Sequence, residues 1–202
     1  MRLQELFYVA NIIDYARVVL LYWAVHSDGY TFLAYYSGSY ILDAFDGPAA
    51  RALNQESKLG YYLDMLIDRV SSCVCLHFAA NAVVGGGSCV PSWLASPVAL
   101  VLRALILFVE VLAHGVVMFM SEVRGVHQKQ MGYDYAVVRR YLGDKRCLFW
   151  ACVSFEAFGL GLIAGLPALA AVSLPGFAFR AAANLCRLVA AARPGAATRD
   201  GG

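Results

Sequence analysis

Apolar residues run along this chain in stretches long enough to be helices that cross a hydrocarbon layer, and polar residues gather between them. Crossing a hydrocarbon core of about 30 Å takes about 20 helical residues. Six segments suit that length: Phe7 to Val25, Tyr30 to Ala50, Leu59 to Val84, Trp93 to Met120, Leu148 to Ala170 and Val172 to Ala191. The last two are separated by very little, and Pro167, Ser173 and Pro175 carry the split between them. The pattern predicts an all-α integral membrane protein with six transmembrane helices.

Basic residues sort to alternate ends of these segments. With the N-terminus in the cytosol, Arg2, Arg51, Lys58, Arg124, Lys129, Arg139, Arg140, Lys145, Arg146, Arg193 and Arg199 fall on the cytosolic side. The opposite loops, His26 to Gly29, Gly85 to Ser92 and the turn after Ala170, contain no Lys or Arg, as the positive-inside rule requires. Both termini are then cytosolic. Residues 1–192 are expected to form one transmembrane domain, and 193–202, RPGAATRDGG, a disordered tail.

Composition agrees with a lipid surrounding. Of 202 residues, 60% are hydrophobic and 15% charged, against about a quarter charged in soluble domains. A net charge of +2 without a dense basic run excludes an electrostatic case for nucleic acid. Six cysteines, at 73, 75, 89, 147, 152 and 186, form no C-x-x-C pair and read as small core hydrophobes. The first apolar segment contains Asn11, Asp14 and Arg17 and no small-residue cleavage pattern, so it is expected to stay in the fold instead of being removed as a signal peptide.

Four carboxylates in or beside apolar helices carry the candidate chemistry: Asp43 and Asp46 in ILDAFDGPAAR, and Asp64 and Asp68 in GYYLDMLIDR. Each costs a few kcal/mol at mid-membrane, so each should face a polar cavity and be compensated. Residues three or four apart share a helical face, and the short link between Arg51 and Gly60 makes the two helices antiparallel neighbours, bringing both pairs together. Four like charges raise one another's pKa unless cations intervene. Hard oxygen ligands without His or Cys favour two Mg²⁺ or Mn²⁺ ions over zinc, and Mg²⁺ is usually shared with substrate phosphates. The plainer alternative makes these aspartates helix caps and surface pairs with Arg51, Lys58 and Arg69 as partners. Gly47 beside Asp46 leaves room for a phosphate to approach the backbone, and Arg51 adds a cation of phosphate-matching geometry.

Asp43-x-x-Asp46-Gly47-x-x-Ala50-Arg51, eight residues, then Gly60-x-x-x-Asp64-x-x-x-Asp68 resembles the full signature of the CDP-alcohol phosphatidyltransferases. The resemblance implies a six-helix membrane enzyme, usually a homodimer, with its active site at the cytosolic end. It implies that Asp43, Asp46, Asp64 and Asp68 bind two metal ions, that Asp68 is also the general base, and that Gly47, Arg51 and Ser57 contact the CDP-lipid.

Within that family, Asn54-Gln55, Leu63-Asp64-Met65 and Asp68-Arg69 resemble the eukaryotic phosphatidylinositol synthases, as do NIIDYARVV, with its Asn-x-x-x-x-x-Arg element, and AHGVVMFMSEVRG, which holds His114 and Arg124. The implied reaction joins CDP-diacylglycerol and myo-inositol into phosphatidylinositol with release of CMP, in the endoplasmic reticulum or Golgi membrane. Inositol needs convergent hydrogen-bonding groups, for which His114, Glu110, Arg124 and Gln128 are candidates, although His114 equally suits a helix-packing histidine bonded to a nearby carbonyl. Where the family usually has Ser-His-Lys, this chain reads VHQKQ, with His127 and Lys129. Other acceptors or donors fit the same signature: glycerol-3-phosphate, serine, or CDP-choline and CDP-ethanolamine with diacylglycerol. A small cation transporter would instead spread polar residues through the membrane depth. Gly161-x-x-x-Gly165 offers a close helix approach.

Overall fold

The computed structural model of the chain describes residues 3–84, 97–125 and 135–192. These residues are helical, without a strand among them. A 3₁₀ turn, Leu3–Phe7, precedes α1 (Val9–Val25), α2 (Gly29–Ala52), α3 (Lys58–Val84), α4 (Pro97–Arg124), α5 (Ala136–Gly143), α6 (Lys145–Ile163) and α7 (Pro167–Ala192). Six of the seven are the long helices expected from the apolar pattern; the eight-residue α5 was not anticipated. By length and composition, Lys145–Ile163 and Pro167–Ala191 are long and apolar enough to cross a membrane.

Two boundaries differ from expectation. The fourth helix runs on to Arg124, and its expected start at Trp93 lies outside the described residues, as does the tail 193–202. The break between α6 and α7 falls at 164–166, not after Ala170. Gly165 there has φ +67°, a left-handed turn that glycine adopts freely, and Pro167 opens α7 at the position where a missing N–H does no harm. Pro175 lies inside α7. Two residues before it, the Ser173 hydroxyl donates to the Leu169 carbonyl at 2.6 Å.

The chain divides into two compact units, Met1–His77 and Phe78–Gly202. In the first, α1 packs on α2, with the Ser39 hydroxyl donating to the Arg17 carbonyl at 3.2 Å. Tyr36 on α2 donates to the Ser71 carbonyl of α3 at 3.2 Å. The α2–α3 corner turns at Asn54, whose φ is +53°, a conformation that asparagine tolerates better than most side chains. Gln55 next to it accepts from the Val9 N–H at 2.9 Å through Oε1, fastening the start of α1 to the corner.

In the second unit α6 and α7 are antiparallel. A Cβ on Gly161 would lie 2.9 Å from the Ala170 nitrogen, so this glycine serves close packing within the chain. Phe155 and Phe177 stack between the two helices at 5.1 Å. Val117 of α4, Val138 of α5 and Ala190 of α7 share one buried cluster. Asp144 accepts from the Arg146 and Cys147 N–H groups and caps α6. No disulfide links the five described cysteines.

Charged and polar residues are buried beside the apolar core, and large apolar residues lie on the outside. Asn11, Asp14, Arg17, Glu110, Arg180 and Arg187 are buried, whereas Trp23, Phe108 (60% exposed), Phe119, Trp150 and Val172 (82%) point outward.

Candidate functional site

Asp43 and Asp46 lie three residues apart on α2, and Asp64 and Asp68 four apart on α3. The Tyr36–Ser71 bond at one level and the aspartates at another set the two helices antiparallel, so the pairs face each other as the spacing predicts. Their common partner comes from α1. Arg17 Nη1 donates to Asp14 Oδ1 at 3.0 Å, to Asp46 Oδ2 at 2.8 Å and to Asp64 Oδ1 at 3.0 Å. Its Nη2 donates to Asp68 Oδ1 at 2.6 Å and pairs with Asp43. The Arg17 side chain is only 2% exposed, and that of Asp14 1%, while Asp43, Asp64 and Asp68 each keep about a third of their surface open. The cluster is therefore closed on the α1 side and accessible from the other.

Of the partners named in the alternative reading, Arg69 reaches Asp68 at 3.6 Å. Arg17 meets all four signature aspartates. Asp14 and Arg17 are functional candidates that the sequence reading passed over as site residues, though both stood in view as charges inside an apolar segment, the criterion that singled out the four aspartates.

Two sets of three carboxylates have one oxygen each within 4.8 Å of one another: Asp14, Asp46 and Asp64, and Asp43, Asp64 and Asp68. Oxygen-only donors of this charge suit a hard divalent cation, and a guanidinium already stands among them as a cation. Beside the first set lies a cavity of about 200 Å³ lined by Asn11, Asp46, Gly47, Arg51, Ser57 and Gly60, among others. A Cβ on Gly47 would lie 3.3 Å from Arg51 Nη1, so the glycine leaves the guanidinium its room. Ser57 Oγ accepts from the Gly60 N–H at 3.0 Å and caps the start of α3. A Cβ on Gly60 would lie 2.8 Å from Asn11 Oδ1, which accounts for glycine at that place in the motif: α1 passes against the first turn of α3.

Residues 7–165 match the family model described as CDP-alcohol phosphatidyltransferase. The chain belongs to this family. Among the relatives of this CDP-alcohol phosphatidyltransferase family member is the CDP-diacylglycerol–inositol 3-phosphatidyltransferase of Rattus norvegicus, 34% identical over 158 residues, 75% of this chain and 67% of the relative. The protein of the same name from Saccharomyces cerevisiae is 31% identical over 200 residues, 93% of this chain and 85% of the relative. The Homo sapiens protein of that name is 33% identical over 158 residues, covering 75% and 67%. No solved structure matches the chain.

The second unit of this family member holds a separate buried polar cluster. Glu110 of α4 accepts from Arg180 Nη2 at 2.8 Å and from Asn184 Nδ2 at 2.5 Å, both on α7. The Arg180 guanidinium also lies 4.0 Å over the Phe155 ring. His114 is 4% exposed, with Nδ1 2.8 Å from the Glu110 carbonyl and Nε2 3.3 Å from Arg187 Nη1. Because a guanidinium only donates, Nε2 accepts and the ring proton sits on Nδ1. Glu110 and His114 thus lie in one cluster with Arg180 and Arg187. Gln128, His127 and Lys129 lie outside the described residues. Arg124 is the last residue of α4. On α5 burial pushes the Tyr141 phenol up to about 12, and its hydroxyl lies 4.0 Å from Cys152 Sγ.

Proposed function

We propose that this chain is a membrane phosphatidyltransferase that moves the phosphatidyl group of CDP-diacylglycerol to myo-inositol, giving phosphatidylinositol and CMP. The observation that carries the reading is the convergence of all four signature aspartates on one partly open cluster, in a chain whose relatives are named for this reaction.

In this reading Asp43, Asp46, Asp64 and Asp68 would hold two divalent ions, Mg²⁺ or Mn²⁺, which when bound would supply positive charge at the pyrophosphate. The chain's own residues do the rest. Gly47, Arg51 and Ser57 line the cavity beside the carboxylates and position the pyrophosphate, Arg51 through paired N–H donors. Asp68 takes the proton of one inositol hydroxyl as its oxygen bonds to the diacylglycerol-linked phosphorus. The anhydride P–O bond breaks and its electron pair leaves with CMP. His114 and Arg124 are the candidates for contacts with inositol.

The membrane reading assigns spans to α1, α2, α3, α4, α6 and α7, with α5 at the cytosolic surface and both termini in the cytosol. It places the protein in the endoplasmic reticulum or Golgi. Outward Trp23, Phe108, Phe119 and Val172 over a buried polar interior support an apolar solvent.

Membranes containing the chain, given CDP-diacylglycerol and Mn²⁺ or Mg²⁺, are offered radiolabelled inositol, serine or glycerol-3-phosphate in parallel. Metal-dependent labelling of lipid from inositol alone is expected. Labelling from serine or glycerol-3-phosphate overturns the acceptor, and no labelling from any overturns the reaction. Asp68→Asn should lower kcat about 10²- to 10⁴-fold; full activity in that variant removes Asp68 as base.

A further inference from the structure

We propose that Arg17 is an exchangeable counter-cation of the aspartate cluster: its guanidinium bridges the two carboxylate sets while they are free of metal and gives way, keeping Asp14 as its partner, when divalent ions load. The proposal rests on the reading above that these sets hold metal ions.

The geometry is specific. Nη1 contacts Asp14, Asp46 and Asp64, all three members of one set. Nη2 contacts Asp43 and Asp68 of the other, and Asp64 belongs to both. The two nitrogens of one planar group therefore stand in the two sets, one in each. A metal ion binds oxygens at about 2.0–2.1 Å for Mg²⁺, and one oxygen of each of Asp14, Asp46, Asp64 and Asp68 already accepts from a nitrogen of Arg17 at 2.6–3.0 Å. Guanidinium and ions drawn by the same carboxylates therefore compete for them.

Charge gives the second argument. Five carboxylates meet one guanidinium, and two divalent ions added to them bring the site to neutrality. Asp14, which lies outside the signature, is the residue that closes this balance. It precedes Arg17 by three residues on the same helix and remains beside it however the side chain turns. Arg17 Nε is buried without a hydrogen-bond partner among the described residues, so carboxylates alone hold the end of the side chain. Once ions take the four signature carboxylates, Asp14 is the acceptor left to the guanidinium.

The test uses the full chain purified in lipid nanodiscs without CDP-lipid. Mn²⁺ binding is read from the magnetic-resonance signal of free Mn²⁺, and unfolding temperature is measured with and without the ion. Arg17→Gln should bind Mn²⁺ at least about tenfold more tightly, because the metal-competent state no longer competes with the guanidinium. Its metal-free form should unfold at lower temperature, and the rise on saturation with Mn²⁺ should exceed that of the parent. Arg17→Lys keeps the charge but has one nitrogen, so one Mn²⁺ should bind more tightly and the other should not. A supporting residue would move affinity the other way: unchanged or weaker Mn²⁺ binding in Arg17→Gln overturns the proposal, and if that variant does not fold, unchanged binding in Arg17→Lys does so. Asp43→Asn separates the two readings. Undiminished Mn²⁺ binding there overturns the metal centre itself, whereas lost binding there with unchanged binding in the Arg17 variants overturns only the counter-cation.

Discussion

At the scale of single residues, the site is made as much by side chains left out as by those present. Gly60→Ala would put a methyl 2.8 Å from Asn11 Oδ1, and overpacking of this kind costs about 1–3 kcal/mol; a lower unfolding temperature in detergent is the expected result. Ser57 combines a cap with the position assigned to the CDP-lipid, and two substitutions separate these. Ser57→Ala should lose about 1 kcal/mol of stability with the cap. Ser57→Asp should keep the cap while raising KM for CDP-diacylglycerol, since it sets a negative charge beside a pyrophosphate. Equal KM values for Ser57→Asp and the parent would take Ser57 out of the substrate site. Asp43, Asp46, Asp64 and Asp68 were legible because helical spacing fixes which residues share a face. The role of Arg17 was not: nothing in a one-dimensional pattern says that a residue 29 positions before Asp46 and 51 before Asp68 lies between them.

At the scale of elements, the corner between α2 and α3 sets the register of the two aspartate pairs. Asn54 holds it in the left-handed region, which costs a β-branched residue about 1–3 kcal/mol. Asn54→Val should therefore lower the unfolding temperature and Asn54→Gly should not, with Mn²⁺ binding falling in parallel if the corner aligns the pairs. Long apolar segments gave α1 to α3 to within a few residues, since length and hydropathy suffice there. The α6–α7 boundary was misread because Pro167, Ser173 and Pro175 together bracket a break without fixing it. Gly165 and Pro167 make the turn, whereas α7 runs on through Pro175 to Ala192. The α5 helix was missed because eight residues with two arginines resemble a polar loop until Val138 and Tyr141 are seen buried.

At the scale of the whole molecule, on the membrane reading proposed above buried charge selects partners beside buried hydrocarbon, because an apolar solvent gives apolar side chains little reason to hide. Glu110 and Arg180 are the clearest case. Removing one member of such a pair costs about 3–5 kcal/mol, whereas replacing both with apolar residues costs far less. Glu110→Gln and Arg180→Met should each destabilise strongly, and Glu110→Leu with Arg180→Met should recover most of the loss, read as unfolding temperature in detergent. The sequence disclosed Glu110 as a polar residue in an apolar helix but not its partner, 70 residues away. That separation has a consequence for how the protein is made. At about 5–20 residues per second, a ribosome needs roughly 4 to 14 s to travel from one codon to the other, so Glu110 is synthesised that long before its guanidinium. On the membrane reading proposed above, α4 lacks its partner for those seconds, and a chain stalled or cut before residue 180 carries an unmatched carboxylate that the chain through α7 does not.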